Sequence, residues 1–217
     1  MIGIISDIHG NSLAMNQCIH ILKEQGISDI YCLGDVLGYI PLEEEVMQMI
    51  KDHNIKCIMG NHEAMVCEKL PMENKNEIHG LKDVQNRLSS ETIKWISSWP
   101  IRLEFNSSTL FVHGSPFDNL EGYVYEDELE KFSECGYSKI FMGHTHRSYM
   151  HKRNGCTFIN VGSVGLPRDK KGSQCLIYEE PNTYKFININ YDKDLLIKQA
   201  EKKGKLHDLV KGLILNG

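Results

Sequence analysis

Five times between residues 7 and 146, an apolar run ends and Asp, Asn or His follows at once. The segments are Asp7-Ile8-His9-Gly10-Asn11, Gly34-Asp35, Gly60-Asn61-His62-Glu63, Val112-His113-Gly114 and Gly143-His144-Thr145-His146. The runs before them are Ile2-Gly3-Ile4-Ile5, Ile30-Tyr31-Cys32-Leu33, Ile55 to Met59, Leu110-Phe111-Val112 and Ile140-Phe141-Met142. Apolar runs of this length bounded by Gly read as buried strands. Open α/β sheets place ligand sites at the carboxyl ends of their strands. The donors gathered there are oxygens and imidazole nitrogens, with no thiolate. That set suits divalent Mn, Fe, Zn or Ni.

Within the motifs, spacing suggests roles. Asp7 and His9 are two apart, and extended backbone points alternate side chains the same way, so both can reach one ion. Asn11 can start the helix that follows. Asp35 is the best candidate to bridge two cations, which two-metal sites hold about 3.5–4 Å apart. Asn61 offers a neutral carbonyl oxygen, and His62 an imidazole able to carry charge near neutrality. His113, His144 and His146 add three imidazoles at strand ends. His20, His53, His79, His151 and His207 fit no motif and read as ordinary surface or core histidines.

The first half alternates strand and helix signals. Leu13, Ala14, Cys18, Ile21 and Leu22 predict a helix near 11–25, ended by Gly26. A strand at 29–33, a helix near 42–52 and a strand at 55–59 follow. Residues 62–99 break the rhythm with mixed charge, Pro71 and a short helix that Ser90 can cap and Pro100 closes. This stretch predicts a helical, lid-like excursion over the site rim. The second half predicts strands at 101–105, 109–113, 139–143, 156–161, 174–179 and 184–190, one helix near 125–135, and one or two charged helices over 192–217. The expected fold is α/β (α+β), with two sheets face to face and helices outside.

At 217 residues the chain suits a single domain, 1–217, with a substantial core. Its net charge of −5 argues against a large nucleic-acid footprint. No apolar run reaches the ~18 residues of a membrane span, and no secretory signal is read at the amino terminus. Seven cysteines without zinc-ribbon spacing suit buried thiols in a reducing cytoplasm.

In the order D-x-H, G-D, G-N-H-E, H-G and G-H-T-H, the motifs resemble the calcineurin-like metallophosphoesterase superfamily. Asn160-Val161-Gly162-Ser163-Val164-Gly165 also looks like the small single-domain bacterial and archaeal phosphodiesterase branch. The resemblance implies a four-layer double β-sandwich flanked by helices. It implies two divalent metal ions per chain, manganese first, with iron, zinc or nickel also suited. Asp7, His9, Asp35 and His146 would hold one, and Asp35, Asn61, His113 and His144 the other. His62 matches a histidine that contacts the phosphate and can protonate the leaving oxygen. The implied activity is hydrolysis of a phosphate ester, a diester first, by attack of a metal-bridging hydroxide. The alternatives are a phosphomonoesterase, a dinucleoside-polyphosphate hydrolase, or a non-catalytic metal-binding scaffold. The expected partner is a small phosphorylated compound, nucleotides included, and no membrane. Ile40 and Ser148 stand where relatives are expected to carry Gly and Pro, so rim and substrate are where this chain departs. Arg168 is a candidate phosphate contact, its fork matching phosphate oxygens. The stretch 63–99 and the Phe117 to Tyr125 loop are expected to form the rim, with Phe117, Tyr123 and Tyr125 able to stack on a base or aryl group.

Overall fold

Strand β1 (Ile2–Ile5) is buried along its whole length, as an unbroken apolar run requires. It pairs in parallel with β2 (Ile30–Cys32), and β2 with β3 (Lys56–Cys57). The computed structural model describes residues 1–72, 76–132 and 134–217. Helices α1 (Ser12–Glu24) and α2 (Glu43–Asp52) connect these strands. Their apolar stripes, including Met15, Cys18, Leu22, Val46 and Ile50, pack in one cluster with Ile5 and Cys32. Asn11 caps α1, its side chain accepting from Ala14 N at 3.0 Å.

Four short helices follow: α3 (Asn61–Val66), α4 (Asn76–His79), α5 (Leu81–Arg87) and α6 (Ser90–Ser97). They make up the expected helical excursion, except that residues 73–75 lie outside the described residues. Ser89, not Ser90, caps α6, accepting from Thr92 N at 3.1 Å.

The second sheet runs β4-β5-β6-β8-β7, from β4 (Arg102–Asn106), β5 (Thr109–Val112), β6 (Lys139–Met142), β7 (Tyr149–Arg153) and β8 (Cys156–Asn160). Strands β5, β6 and β8 are parallel, with antiparallel strands at both edges. The chain then returns to the first sheet as β9 (Gln174–Glu179) and β10 (Thr183–Asn188), giving the order β10-β9-β1-β2-β3. Ile2, Ile4, Tyr31 and Leu33 of one sheet share a core with Phe111, Phe141 and Ile159 of the other. The two five-stranded sheets therefore pack face to face.

The outer layers differ from expectation in one place. Residues 125–135 form only a 3-10 turn at Leu129–Phe132 rather than a helix; Ser133 lies outside the described residues. Leu129, Phe132 and Cys135, three residues apart, cover the outer face of the second sheet. A spacing of three without an apolar residue at i+4 suits a 3-10 turn rather than an α-helical stripe. The tail forms two helices, α7 (Lys193–Lys203) and α8 (Asp208–Asn216). Leu196, Ala200, Val210 and Ile214 pack them against Ile40, Leu42 and Leu166.

Candidate metal centre

The carboxyl ends of β1, β2, β5 and β6 converge on one edge of the sandwich, bringing residues 137 apart in sequence into contact. The pleat is not what aims the side chains. Asp7, His9, Asp35, His144 and His146 all have φ between 50° and 63°, so Asp7 and His9 converge through left-handed turns rather than extended backbone. The turns are pinned by backbone bonds between strand ends. Asp7 N donates to Gly34 O and His9 N to Asp35 O, each at 3.0 Å. The glycine-rich segment after β8 closes over them. Ser163 Oγ donates to Asp7 O at 2.7 Å, and Gly165 N to the same oxygen at 3.0 Å.

Three groups of side chains place one ligand atom each within 4.8 Å of one another: Asp7, His9 and His146; His9, Asp35 and His62; and Asp35, His113 and His144. All are buried. Asp35 Oδ2 lies centrally, 3.4 Å from His113 Nε2, 3.8 Å from His9 Nε2 and 3.9 Å from His62 Nε2. Asn61 Oδ1 lies 3.1 Å from His113 Nε2.

The ring nitrogens turned away from the cluster are committed. Nδ1 of His9 and of His62 donate to Leu37 O at 3.1 and 2.8 Å, Nδ1 of His113 to Leu33 O at 2.9 Å, and Nδ1 of His146 to Leu166 O at 2.6 Å. A carbonyl only accepts, so each Nδ1 carries the hydrogen, and whenever the ring is neutral its Nε2 presents a lone pair inward. His9 Nε2 and His146 Nε2 are 3.0 Å apart, and His113 Nε2 and His144 Nδ1 3.1 Å.

Burial and the groups' mutual charges shift their titration in opposite directions. Burial pushes Asp7 up, but the charge and hydrogen bond of His146, with His9, hold its carboxyl well below the ordinary range. Burial likewise opposes, and His113 and His62 impose, a low pKa on Asp35. Against burial, the Asp35 carboxylate lifts His113 to about 10. Burial, then the charge on His113, lowers His144 to about 3. Burial lowers His9, and lowers His62 to about 4.

Divalent cations fit this arrangement on three grounds. Lone pairs meeting at 3.0 Å are repulsive unless a cation or proton lies between them. Asp7 Oδ1 and His144 Nε2 are buried without a hydrogen-bond partner, which is costly in a finished interior. The Asn61 carbonyl oxygen points into acceptors, although turning the amide over would let it donate to His113, Asp35 and His144 at 3.1–3.2 Å. An oxygen aimed at other acceptors is what a shared cation requires.

Above the cluster is a pocket of about 160 Å³, lined by Asp35, Asn61, His62, His144 and His146 with Tyr39, His79, Glu121, Tyr123 and Arg168. Both candidate substrate contacts, Arg168 and Tyr123, are therefore at the rim. Arg168 Nη2 donates to Tyr39 Oη at 3.0 Å. Tyr123 stacks on Tyr125 at 6.0 Å and tilts against His144 at 4.2 Å. Phe117 is 65% exposed, stacks on Phe132 and does not line the pocket. His79, read from sequence as an ordinary histidine, forms part of the wall, 4.9 Å from the His62 ring. Its carbonyl accepts from Tyr39 N at 2.7 Å. Tyr39 and Glu121 were not singled out by sequence reasoning either. Tyr39 does follow Gly38 in the loop after Asp35, which is a signal for a special turn beside the site.

The sequence matches the family profile described as the calcineurin-like phosphoesterase superfamily domain over residues 1–182. It is 30% identical to the uncharacterised protein MJ0912 of Methanocaldococcus jannaschii, over 94% of this chain and 91% of that one. The fold is similar to a metallophosphoesterase from Sphaerobacter thermophilus, with TM-score 0.84 and 24% identity over 99% of this chain and 98% of that chain. It is equally similar to the hypothetical protein PH1004 from Pyrococcus horikoshii OT3, with TM-score 0.83 and 22% identity over 99% and 98% of the two chains. The chain belongs to the calcineurin-like phosphoesterase superfamily. Members are generally phosphoester hydrolases that use divalent metals.

Proposed function

We propose that this chain is a phosphoesterase dependent on two divalent cations, manganese first, and that a phosphodiester is its favoured substrate. The observation that carries the reading is the set of three buried Asp/His groups, two of which contain Asp35 and two of which contain His9. Asp7, His9, Asp35 and His146 hold one cation in this reading, and Asp35, Asn61, His113 and His144 the other. Bound there, the cations would supply Lewis acidity and lower the pKa of a bound water.

The remaining work falls to side chains of the pocket. His62 keeps Nδ1–H on Leu37 O and turns Nε2 toward the pocket, so a phosphoryl or leaving oxygen would meet Nε2. The buried ring rests neutral, and an anionic phosphoryl group against it favours the protonated form that can donate. Arg168 binds phosphoryl oxygen through its fork, and Tyr123 walls the leaving group. Among the lining residues Arg168 is the one Lys or Arg side chain, and Glu121 brings the opposite charge. A rim so balanced suits the single negative charge of a diester better than the two of an ionised monoester. The whole chain works as one domain in this reading, with 62–99 as its rim. Seven free thiols suit a reducing cytoplasm.

Two variants and a substrate pair test this. Asp35→Asn is expected to lose metal from both positions. His62→Asn is expected to keep nearly full metal content and lose about a hundredfold or more in turnover. Manganese-loaded protein is expected to cleave an aryl phosphodiester with a higher kcat/KM than the matching monoester. Saturation at one metal per chain removes the binuclear reading, and a monoester preference moves the substrate class alone.

A further inference from the structure

Glu63 has no part in the reaction proposed above, yet it is fully buried beneath the centre. Its carboxylate accepts four backbone hydrogen bonds. Oε2 takes Asp35 N at 2.8 Å and Gly60 N at 2.9 Å. Oε1 takes Val36 N at 2.8 Å and Leu37 N at 3.0 Å. One side chain on α3 thus ties down the three-residue turn after β2 and the segment that leads into α3. That turn carries Asp35 at φ 52°, a conformation that does not hold itself. It also carries the Leu37 carbonyl, which accepts from Nδ1 of both His9 and His62.

We infer that Glu63 is a positioning residue that fixes the Asp35–Leu37 turn, and through the Leu37 carbonyl decides which nitrogen of His9 and of His62 faces the centre. The argument is one of acceptor capacity. Four N–H groups converge on two oxygens, and only a carboxylate has acceptor sites for all four with no hydrogen of its own. An amide in its place presents an NH2 to two N–H donors. Those two bonds are lost, and the turn moves by the displacement needed to separate donor from donor. The Leu37 carbonyl then no longer meets both rings, and either ring is free to present Nδ1 or a rotated face inward. The effect on metal rests on the proposed centre, whereas the effect on the rings does not.

The test compares Glu63→Gln with Glu43→Gln. Glu43 is also a buried carboxylate, but it stands at the start of α2, pairs with Arg87 at 2.6 Å and touches no candidate ligand among the described contacts. In metal-free protein, nitrogen-edited NMR of the imidazoles is expected to show protected Nδ1–H signals for His9 and His62 in wild type and in Glu43→Gln. In Glu63→Gln both signals shift or exchange away. Manganese titration is expected to show affinity about 10–100-fold weaker in Glu63→Gln and unchanged in Glu43→Gln. If Glu63→Gln does not fold, Glu63→Asp is used, which keeps the charge, shortens the reach and is expected to show the same ring changes with a smaller loss of affinity. Retained Nδ1–H signals in the Glu63 variant overturn the inference. So does a loss of affinity in Glu43→Gln that matches its counterpart at equal loss of stability. A wild type that shows the ring signals and binds no manganese overturns the metal reading and leaves the positioning role standing.

Discussion

Asp7, His9, Asp35, His144 and His146 share a backbone state that L-residues avoid at about 1–2 kcal/mol each. The strand ends and the 163–165 segment hold them there against that cost. Space around them is as limited as their torsions. A Cβ on Gly143 would lie 2.5 Å from Asp7 Oδ2 and 2.1 Å from Ser6 Oγ. Gly143→Ala is therefore expected to weaken manganese binding by displacing Asp7, with a stability cost of about 1–3 kcal/mol, read by calorimetric titration and thermal melting. At the rim, Arg168→Met is expected to raise KM about tenfold or more, since a hydrogen bond to a charged group is worth about 1.5–3 kcal/mol, with metal content unchanged. Tyr39→Phe is expected to act in the same direction by a smaller factor, because it removes the oxygen that orients Arg168. The seven candidate ligands were legible in the sequence because polar residues after apolar runs have few other reasons to occur together. Their left-handed torsions were not, since Asp and His announce no sign of φ. Glu63, Tyr39 and His79 were missed for a related reason. Each acts through backbone groups or ring faces whose positions only the folded chain supplies.

Among the elements, strand β7 was overlooked and the 125–135 helix was overread, each for a definite cause. In β7 only Tyr149 is buried and residues 150–153 face solvent, so no apolar alternation marks it. The readable signal lay in the turn. Asn154-Gly155, with φ of 47° and 82°, joins β7 to β8, and this dipeptide is a strong hairpin marker. Gly155→Ala is expected to cost about 1–2 kcal/mol. That corresponds to a fall in Tm of roughly 2–8 °C in a protein of this size, with manganese affinity unaffected because the hairpin is at the edge of the second sheet. In 125–135 the charges suit a helix, but burial at every third position and a Gly136 φ of 85° do not. Local propensity gave way to what the outer face of the sheet needed covered. Strands β1, β5, β6 and β9 were read nearly to the residue, because burial on both faces leaves an uninterrupted apolar run that sequence displays directly.

For the molecule as a whole, the centre takes side chains from both sheets, so a cation held there links the two halves of the sandwich. Manganese at about 100 times its Kd is expected to add about 2.7 kcal/mol to stability, or roughly 5–11 °C in Tm, and chelation to remove it. His9 and His146 meet across 137 residues of chain, and their nitrogens face each other only when β1 and β6 are both in place. Such a contact requires the long loop between them to close first, at an entropic cost. On the hypothesis that it forms after the barrier, the cation has no site to occupy on the way up and acts only on the side beyond it. In a refolding experiment across denaturant, manganese is expected to leave the folding limb where it is and to lower the unfolding limb by the full binding factor. What the crossing of residues 9 and 146 confers is persistence, measured in the lifetime of the folded state rather than in the speed of reaching it.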